Sequence, residues 1–332
     1  MTAALTLPIV ATVPLARYRL VARWQDDVVL PDYAGSLLRG QWGAALRAMA
    51  CMTHQRTCGG CPLQSTCHYS RIFEAPALAV HSLQKFSHTP CPYVIEPPLM
   101  TEPTRRSAGD LLQFGMVLAG HALDRLPLIL LAWQAALARG LTSVRSRSEL
   151  CRVDWMDEQG TAHPVWQRDV PQLADHPAAL TLPVHVPVGL QSITLQIDTP
   201  LRLQHQGQPL LADQLSPRTL LAALARRIAL VMELHAGQPH WGQSVPDVVR
   251  LAEGLQDHRE LHWHDWHRYS SRQQQAMTLG GVIGRWTLIA DTNVLATLWP
   301  WLWLGQWLHV GKNASMGMGA YTLAVSSGTG AA

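Results

Sequence analysis

The chain has 332 residues, of which 48% are hydrophobic and 15% charged, and its formal net charge is +3 with 16 histidines counted neutral. Length and composition exclude a disordered chain and predict two domains with separate cores. The near-balanced charge excludes a strong overall field, so an anionic partner must be met by local basic surface.

Residues 13–25 alternate, with Tyr18, Leu20 and Ala22 on one face, and predict a strand. Residues 33–50 carry Leu38, Trp42, Ala45, Leu46 and Met49 at helical spacing. A cysteine-rich insert occupies residues 51–75. Strands are then expected at 92–96 and 111–119, a helix at about 123–138 closed by Gly140, and a strand at 149–155. Residues 157–188 are more polar and proline-bearing and read as a bridge, with short strands around 180–186. Residues 193–203 alternate again. Ser216 and Pro217 form an N-cap and first-turn pair, opening a helix in which Leu220, Leu224, Ile228 and Val231 share a stripe that ends before Gly237. Strands at 263–269 and 281–290, a helix at 293–309 and a last strand at 320–325 complete the chain.

Each half therefore reads β-α-β-β-α-β. The expected fold is α+β: tandem ferredoxin-like (RRM-like) domains, residues 1–156 with the cysteine-rich insert and residues 189–332 with a glycine-rich loop at 311–319, joined by 157–188. Such a sheet has helices on one face and leaves the other for single-stranded RNA. The N-terminus lacks a cationic leader and is interrupted by Pro8 and Pro14. Apolar stretches are short or broken by residues such as Asp124, Arg125 and Gln134, so a soluble cytoplasmic protein without a membrane partner is expected.

Four of the six cysteines, Cys51, Cys58, Cys61 and Cys67, fall in one short stretch, where glycines turn the backbone inside Cys58-Gly59-Gly60-Cys61. In a reducing compartment this favours a metal over disulfides, with structural zinc as the leading reading. An iron–sulfur cluster, ligation by His54 or His68, and no metal remain the alternatives. Gly311, Lys312, Asn313, Ser315, Gly317 and Gly319 belong to a loop that can bring backbone N–H groups and one cation to a phosphate, or can be plain turn chemistry. It is not a nucleotide-triphosphate loop, because Lys312 precedes the glycines and a strand follows. His262 and His264 share a strand face with Trp266, which suits a solvated or nucleic-acid-facing surface better than a metal. Trp299, Trp301, Trp303 and Trp307 sit among leucines and read as core, with Pro300 in the first turn of a helix. Asn313-Ala314-Ser315 matches a glycosylation acceptor that a cytoplasmic chain would not use.

Four patches, residues 38–47, residues 67–74, residues 268–273 leading to 280–284, and residues 311–321, resemble the CRISPR-associated endoribonucleases that process precursor repeat RNA, members of the RAMP superfamily. The resemblance implies cleavage without a catalytic metal: the RNA's 2′-hydroxyl attacks the neighbouring phosphate, leaving a 2′,3′-cyclic phosphate and a 5′-hydroxyl. It also implies RNA binding by the 311–319 loop and by Arg268, Tyr269, Ser270 and Arg272. CRISPR repeat RNA and other CRISPR effector subunits are the partners it implies.

Many relatives place a catalytic histidine on or near the first helix, whereas residues 38–47 contain none. Arg39 and Arg47 are the candidates to clamp the phosphate and stabilise its developing charge. His54, just past the helix, is a candidate acid or base, a zinc ligand or a loop residue. Tyr33 is a candidate to orient the 2′-hydroxyl or a core tyrosine. A non-catalytic RAMP subunit that only binds RNA and a zinc-containing nucleic-acid adaptor are the competing functions.

Overall fold

The structure is a computed structural model that describes residues 12–76, 83, 89–100, 102–183, 187–270 and 275–327; the side chains of 267–270 and 275–278 fall outside the description. Two units are present, Pro14–Leu180 and Thr181–Ala332 with Met1–Val13.

The first unit is built on strand β1 (Leu15–Trp24), helix α1 (Gly35–Ala50), the short helix α2 (His68–Phe73), strands β2 (Tyr93–Glu96) and β3 (Leu111–Ala119), helix α3 (Leu126–Arg139), and strands β4 (Ser148–Met156) and β5 (Ala162–Gln167). Sheet order is β2-β3-β1-β4-β5, with every neighbour antiparallel. The first four strands are in ferredoxin-like order: the first strand lies between the third and the fourth. The alternation of β1 sets the layers, because Ala16, Tyr18, Leu20, Ala22 and Trp24 enter the core with Leu38, Trp42 and Leu46 of α1 and Ile129, Trp133 and Leu137 of α3. Trp42 stacks on Trp133 with centroids 5.7 Å apart, and its Nε1–H donates to the Ile129 carbonyl at 3.3 Å. Full burial of each such side chain stabilises by about 1.5–3 kcal/mol, so this pair anchors α1 to α3.

Two sequence expectations need correction here. A 3-10 segment, Gly120–Arg125, precedes α3, so the α-helix begins later than expected. Part of the supposed bridge belongs to the first sheet, since β5 pairs with β4 across a turn in which the Asp157 carboxylate accepts the N–H groups of Gln159 and Thr161. Pro164 and the polar composition disguised this strand, features that an edge position tolerates.

The second unit has strand β6 (Leu190–Leu201), helices α4 (Pro217–His235) and α5 (Val245–Glu253), the long hairpin of β7 (Gln256–Ser270) and β8 (Gln275–Ile289), helix α6 (Thr292–Leu308) and strand β9 (Tyr321–Ser327). Its order, β7-β8-β6-β9, repeats that of the first four strands of the other unit. Ser216 caps α4 in a reciprocal box with Thr219, and Pro217 fills the first turn. Helix α5 was not expected from the sequence. In α6, Trp299, Trp301 and Trp307 are buried, so the indoles are core and not a stacking platform. Pro300 lies inside this helix, not in its first turn.

Candidate functional site

Helix α1 places its two arginines in different surroundings. The Nε–H of Arg39 donates to the Tyr93 hydroxyl at 2.8 Å, and its guanidinium carbon lies 4.1 Å from the centre of the Phe73 ring. Burial drives the Tyr93 phenol far above its ordinary pKa, so a neutral hydroxyl faces the cation. Gly43 admits this arrangement, because a Cβ there would fall 2.2 Å from Phe73. Arg39 thus sits half-buried in an aromatic seat supplied by α2 and β2. The planar cation stacks on rings while its charge is kept, an orientation lysine would not reproduce.

Arg47 faces the cysteine-rich loop. Its Nη2 donates to the carbonyls of Gln55 and Arg56, the latter at 3.0 Å, and its guanidinium lies 5.7 Å from the centre of the Tyr69 ring. Arg47 thus also anchors a loop, while Arg39 rests on Phe73, whose ring stacks on Tyr69 with centroids 5.4 Å apart. Tyr33 is 2% exposed, which suits the core tyrosine of its two readings. His54 is an exposed loop residue with φ 50°.

Sequence reasoning missed a cationic group around His121. This half-buried imidazole lies in the 3-10 segment, and burial and then Arg71 lower its pKa, with Arg125 acting in the same direction against Asp124. His68, at the start of α2, is lowered by burial and then by Arg125 and Arg71. No motif announces these residues, which are separated in the chain and gathered by the fold.

The cysteine-rich loop runs from the end of α1 to α2. Cys51, Cys58, Cys61 and Cys67 all line one pocket of about 220 Å³, with Thr53, Gln64 and His68 among its other walls. All four are free thiols, and among the described residues no three metal-ligating side chains stand close enough together to hold an ion. Burial pushes the Cys58 thiol up to about 11, helped by Glu74 and opposed by Arg47.

In the second unit the glycine-rich loop is bound to the end of β6. The N–H groups of Lys312 and Gly319 donate to the carbonyls of Arg202 and Pro200 at 2.9 and 3.1 Å, and Gly317 N–H donates to Ala314 at 3.0 Å. Buried Thr199 accepts from Ala320 N–H and donates to the Gly317 carbonyl, both at 2.8 Å. Gly311, Gly317 and Gly319 all have positive φ, and a Cβ on Gly319 would fall 1.8 Å from the Val310 carbonyl oxygen. Gly311 and Gly319 are thus demanded by close backbone packing and Gly317 by its positive φ, and at least those N–H groups are already used inside the protein. Fewer of the loop's N–H groups are therefore left for a phosphate. Lys312 is exposed, Asn313 and Ser315 are half-buried, and Asn313 Nδ2 points to Met318 Sδ at 3.5 Å.

Arg202 joins this loop to the β7–β8 hairpin. Its carbonyl receives Lys312 N–H while its Nη1 donates to the Gly280 carbonyl at 2.8 Å. The sequence singled out both neighbours and missed the residue between them. Trp263 donates to Asp265 at 2.8 Å on one face of β7, and Trp266 is buried on the other. Arg268, Tyr269 and Ser270 lie at the hairpin's far end with side chains outside the described residues, as does the whole of Arg272.

Each unit has a ferredoxin-like strand order, and the second carries a glycine-rich turn before its last strand. Residues 12–178 match a family model described as an N-terminal domain, and residues 195–321 match the CRISPR-associated endoribonuclease Cas6. The second unit thus carries a Cas6-family domain, and through it the chain is similar to the CRISPR-associated, Cas6-like RNA-processing proteins. Among solved structures it is similar to a Cas6 product complex, with 16% identity and a TM-score of 0.57 over 93% of this chain and 100% of that one. The Cas6 of Thermus thermophilus is 14% identical, with a TM-score of 0.53 over 95% of this chain and 100% of that one. A partial Cas6-RT-Cas1–Cas2 complex is 16% identical, with a TM-score of 0.53 over 94% of this chain and 46% of its counterpart, so this chain spans about half of that protein's length. At these identities the structural likeness concerns the fold. No curated protein sequence matches the chain.

Proposed function

We propose that the chain is an endoribonuclease that cuts CRISPR precursor repeat RNA by attack of the RNA's own 2′-hydroxyl, giving 2′,3′-cyclic phosphate and 5′-hydroxyl ends. The observation that carries this reading is the match of residues 195–321 to the Cas6 endoribonuclease family. In that region Arg202 ties the glycine-rich loop to the β7–β8 hairpin. Lys312 and the arginines of residues 268–272 supply phosphate contacts, while buried Gly317 and Gly319 hold the loop's shape.

Because RNA brings the nucleophile, the protein has to align it, move protons and offset charge on the phosphorane-like transition state. Arg39 takes the electrostatic role in this reading, its seat on Phe73 and Tyr93 fixing the guanidinium before substrate arrives. Other CRISPR proteins are proposed as partners, a reading supported by the Cas6-RT-Cas1–Cas2 assembly that shares this fold.

A non-catalytic RNA-binding subunit is the second reading, favoured by the absence of histidine from α1 and by the exposed position of His54. Incubating the protein with end-labelled repeat RNA in EDTA separates the two. The proposal expects one cut with a cyclic phosphate end; binding without cleavage would establish the second reading.

A further inference from the structure

We propose that Cys51, Cys58, Cys61 and Cys67 bind one zinc ion, and that this ion is the staple that fixes α2 and with it the aromatic seat of Arg39. Residues 51–67 contain no regular secondary structure and not one buried residue. Of the segment's apolar residues only Cys58 and Cys67 pack against the core, which offsets little of the entropy of ordering the backbone, about 1–2 kcal/mol per residue. Only six of its seventeen positions are even partly withdrawn from solvent: Thr53, Gln64 and all four cysteines. Those cysteines converge on the single pocket of about 220 Å³ between the end of α1 and the start of α2.

Local turns shape the backbone that carries the ligands. Cys61 N–H donates to the Cys58 carbonyl at 3.1 Å, and Gly60 takes φ 80° within that turn. Cys67 N–H donates to the Leu63 carbonyl at 2.8 Å, placing the fourth thiol at the N-terminal end of α2. The Arg47 contacts with the carbonyls of Gln55 and Arg56 hold the loop's outer side and keep a cation beside a centre that four thiolates would leave at −2. The thiols line the pocket without standing at coordinating distance, so binding draws them inwards and closes the loop. Four thiolates with a Cys-x-x-Cys pair suit tetrahedral zinc.

The consequence reaches Arg39 through α2. Phe73, the last residue of that helix, packs against Gly43 and carries the guanidinium of Arg39. Anchoring Cys67 therefore anchors the ring on which Arg39 rests. This inference is independent of RNA cleavage, since metal content and helix anchoring can be measured without substrate.

The test is elemental analysis of the full chain purified without chelator, together with Cys58→Ser, Cys61→Ser and His54→Ala. About one zinc per chain is expected in the parent and in His54→Ala, falling towards zero in each cysteine variant. Should the cysteine variants fail to fold, the parent is stripped, titrated with Co²⁺ and read by the thiolate-to-cobalt absorption expected of four sulfur ligands. Limited proteolysis within residues 51–67 should slow on adding Zn²⁺ to the stripped protein. A metal-free parent, iron with sulfide in place of zinc, loss of metal in His54→Ala, absence of the cobalt–thiolate absorption, or cleavage that Zn²⁺ does not slow would overturn the proposal.

Discussion

At the scale of single residues, the first helix shows how side chains of one type come to have different roles. Arg47 spends its donors on loop carbonyls, whereas Arg39 keeps a charge oriented by Tyr93 and Phe73. If Arg39 acts on transition-state charge, Arg39→Ala slows single-turnover cleavage by about 10²-fold or more while RNA affinity changes far less. Arg39→Lys recovers little, and His54→Ala leaves the rate unchanged. Comparing single-turnover rates with equilibrium binding for the three variants checks this; an equal loss of rate and affinity in Arg39→Ala would contradict it. Asp26 supports a second residue-scale prediction. Its carboxylate accepts from Arg147, whose side chain and backbone N–H hold the pKa down from 3.8 to about 2. A depressed carboxyl contributes stability in full above its unfolded pKa of about 3.9 and loses it as pH falls through about 2. Asp26→Asn should therefore lower the Tm at pH 7, and the two melting temperatures should converge near pH 2.

At the scale of elements, the glycine-rich loop separates shape from charge. Gly319→Ala meets both a positive φ and the Val310 carbonyl, so it should destabilise the protein by more than about 1 kcal/mol and lower the Tm. Lys312→Ala should leave the Tm unchanged but flatten the salt dependence of RNA binding by about 0.7 in log–log slope, one phosphate contact on a single strand. Melting curves and a salt titration of RNA affinity read the two effects apart; an unchanged salt slope in Lys312→Ala would show that the loop is only a turn. Most strands and long helices were legible because their periodicity is carried by residues such as Tyr18 and Leu20, or Leu220 and Leu224, which the tertiary structure keeps on one face. The edge strand Ala162–Gln167 and the short helix Val245–Glu253 were not, because a proline-bearing edge and a two-turn helix leave too little pattern. The gathering of the four cysteines around one pocket follows from their closeness in sequence. The seat of Arg39 could not be, since Phe73 and Tyr93 reach it from distant parts of the chain and only packing brings them together.

At the scale of the whole molecule, the same strand order occurs in both units, so one topology has been used twice in this chain. The sheets carry their charge differently from an open basic platform. In the first unit Arg17 and Arg19, on the face of β1 opposite Tyr18 and Leu20, are paired with Glu96 and Asp154 at 3.0 and 2.9 Å. With a net charge of only +3, the proposed RNA binding rests on local groups, Lys312 among the candidates, and should weaken as salt rises. Helix α6 is buried along most of its length, and no helix among the described residues is long and apolar enough to cross a membrane. On this scaffold the proposed mechanism assigns the cut to the RNA's own 2′-hydroxyl. Its most direct test is the cleavage rate, in EDTA, of repeat RNA carrying a single 2′-deoxy substitution at the nucleotide before the cut. The account predicts that this one change abolishes cleavage and leaves binding intact, whereas continued cutting of the 2′-deoxy RNA at the same position would contradict it.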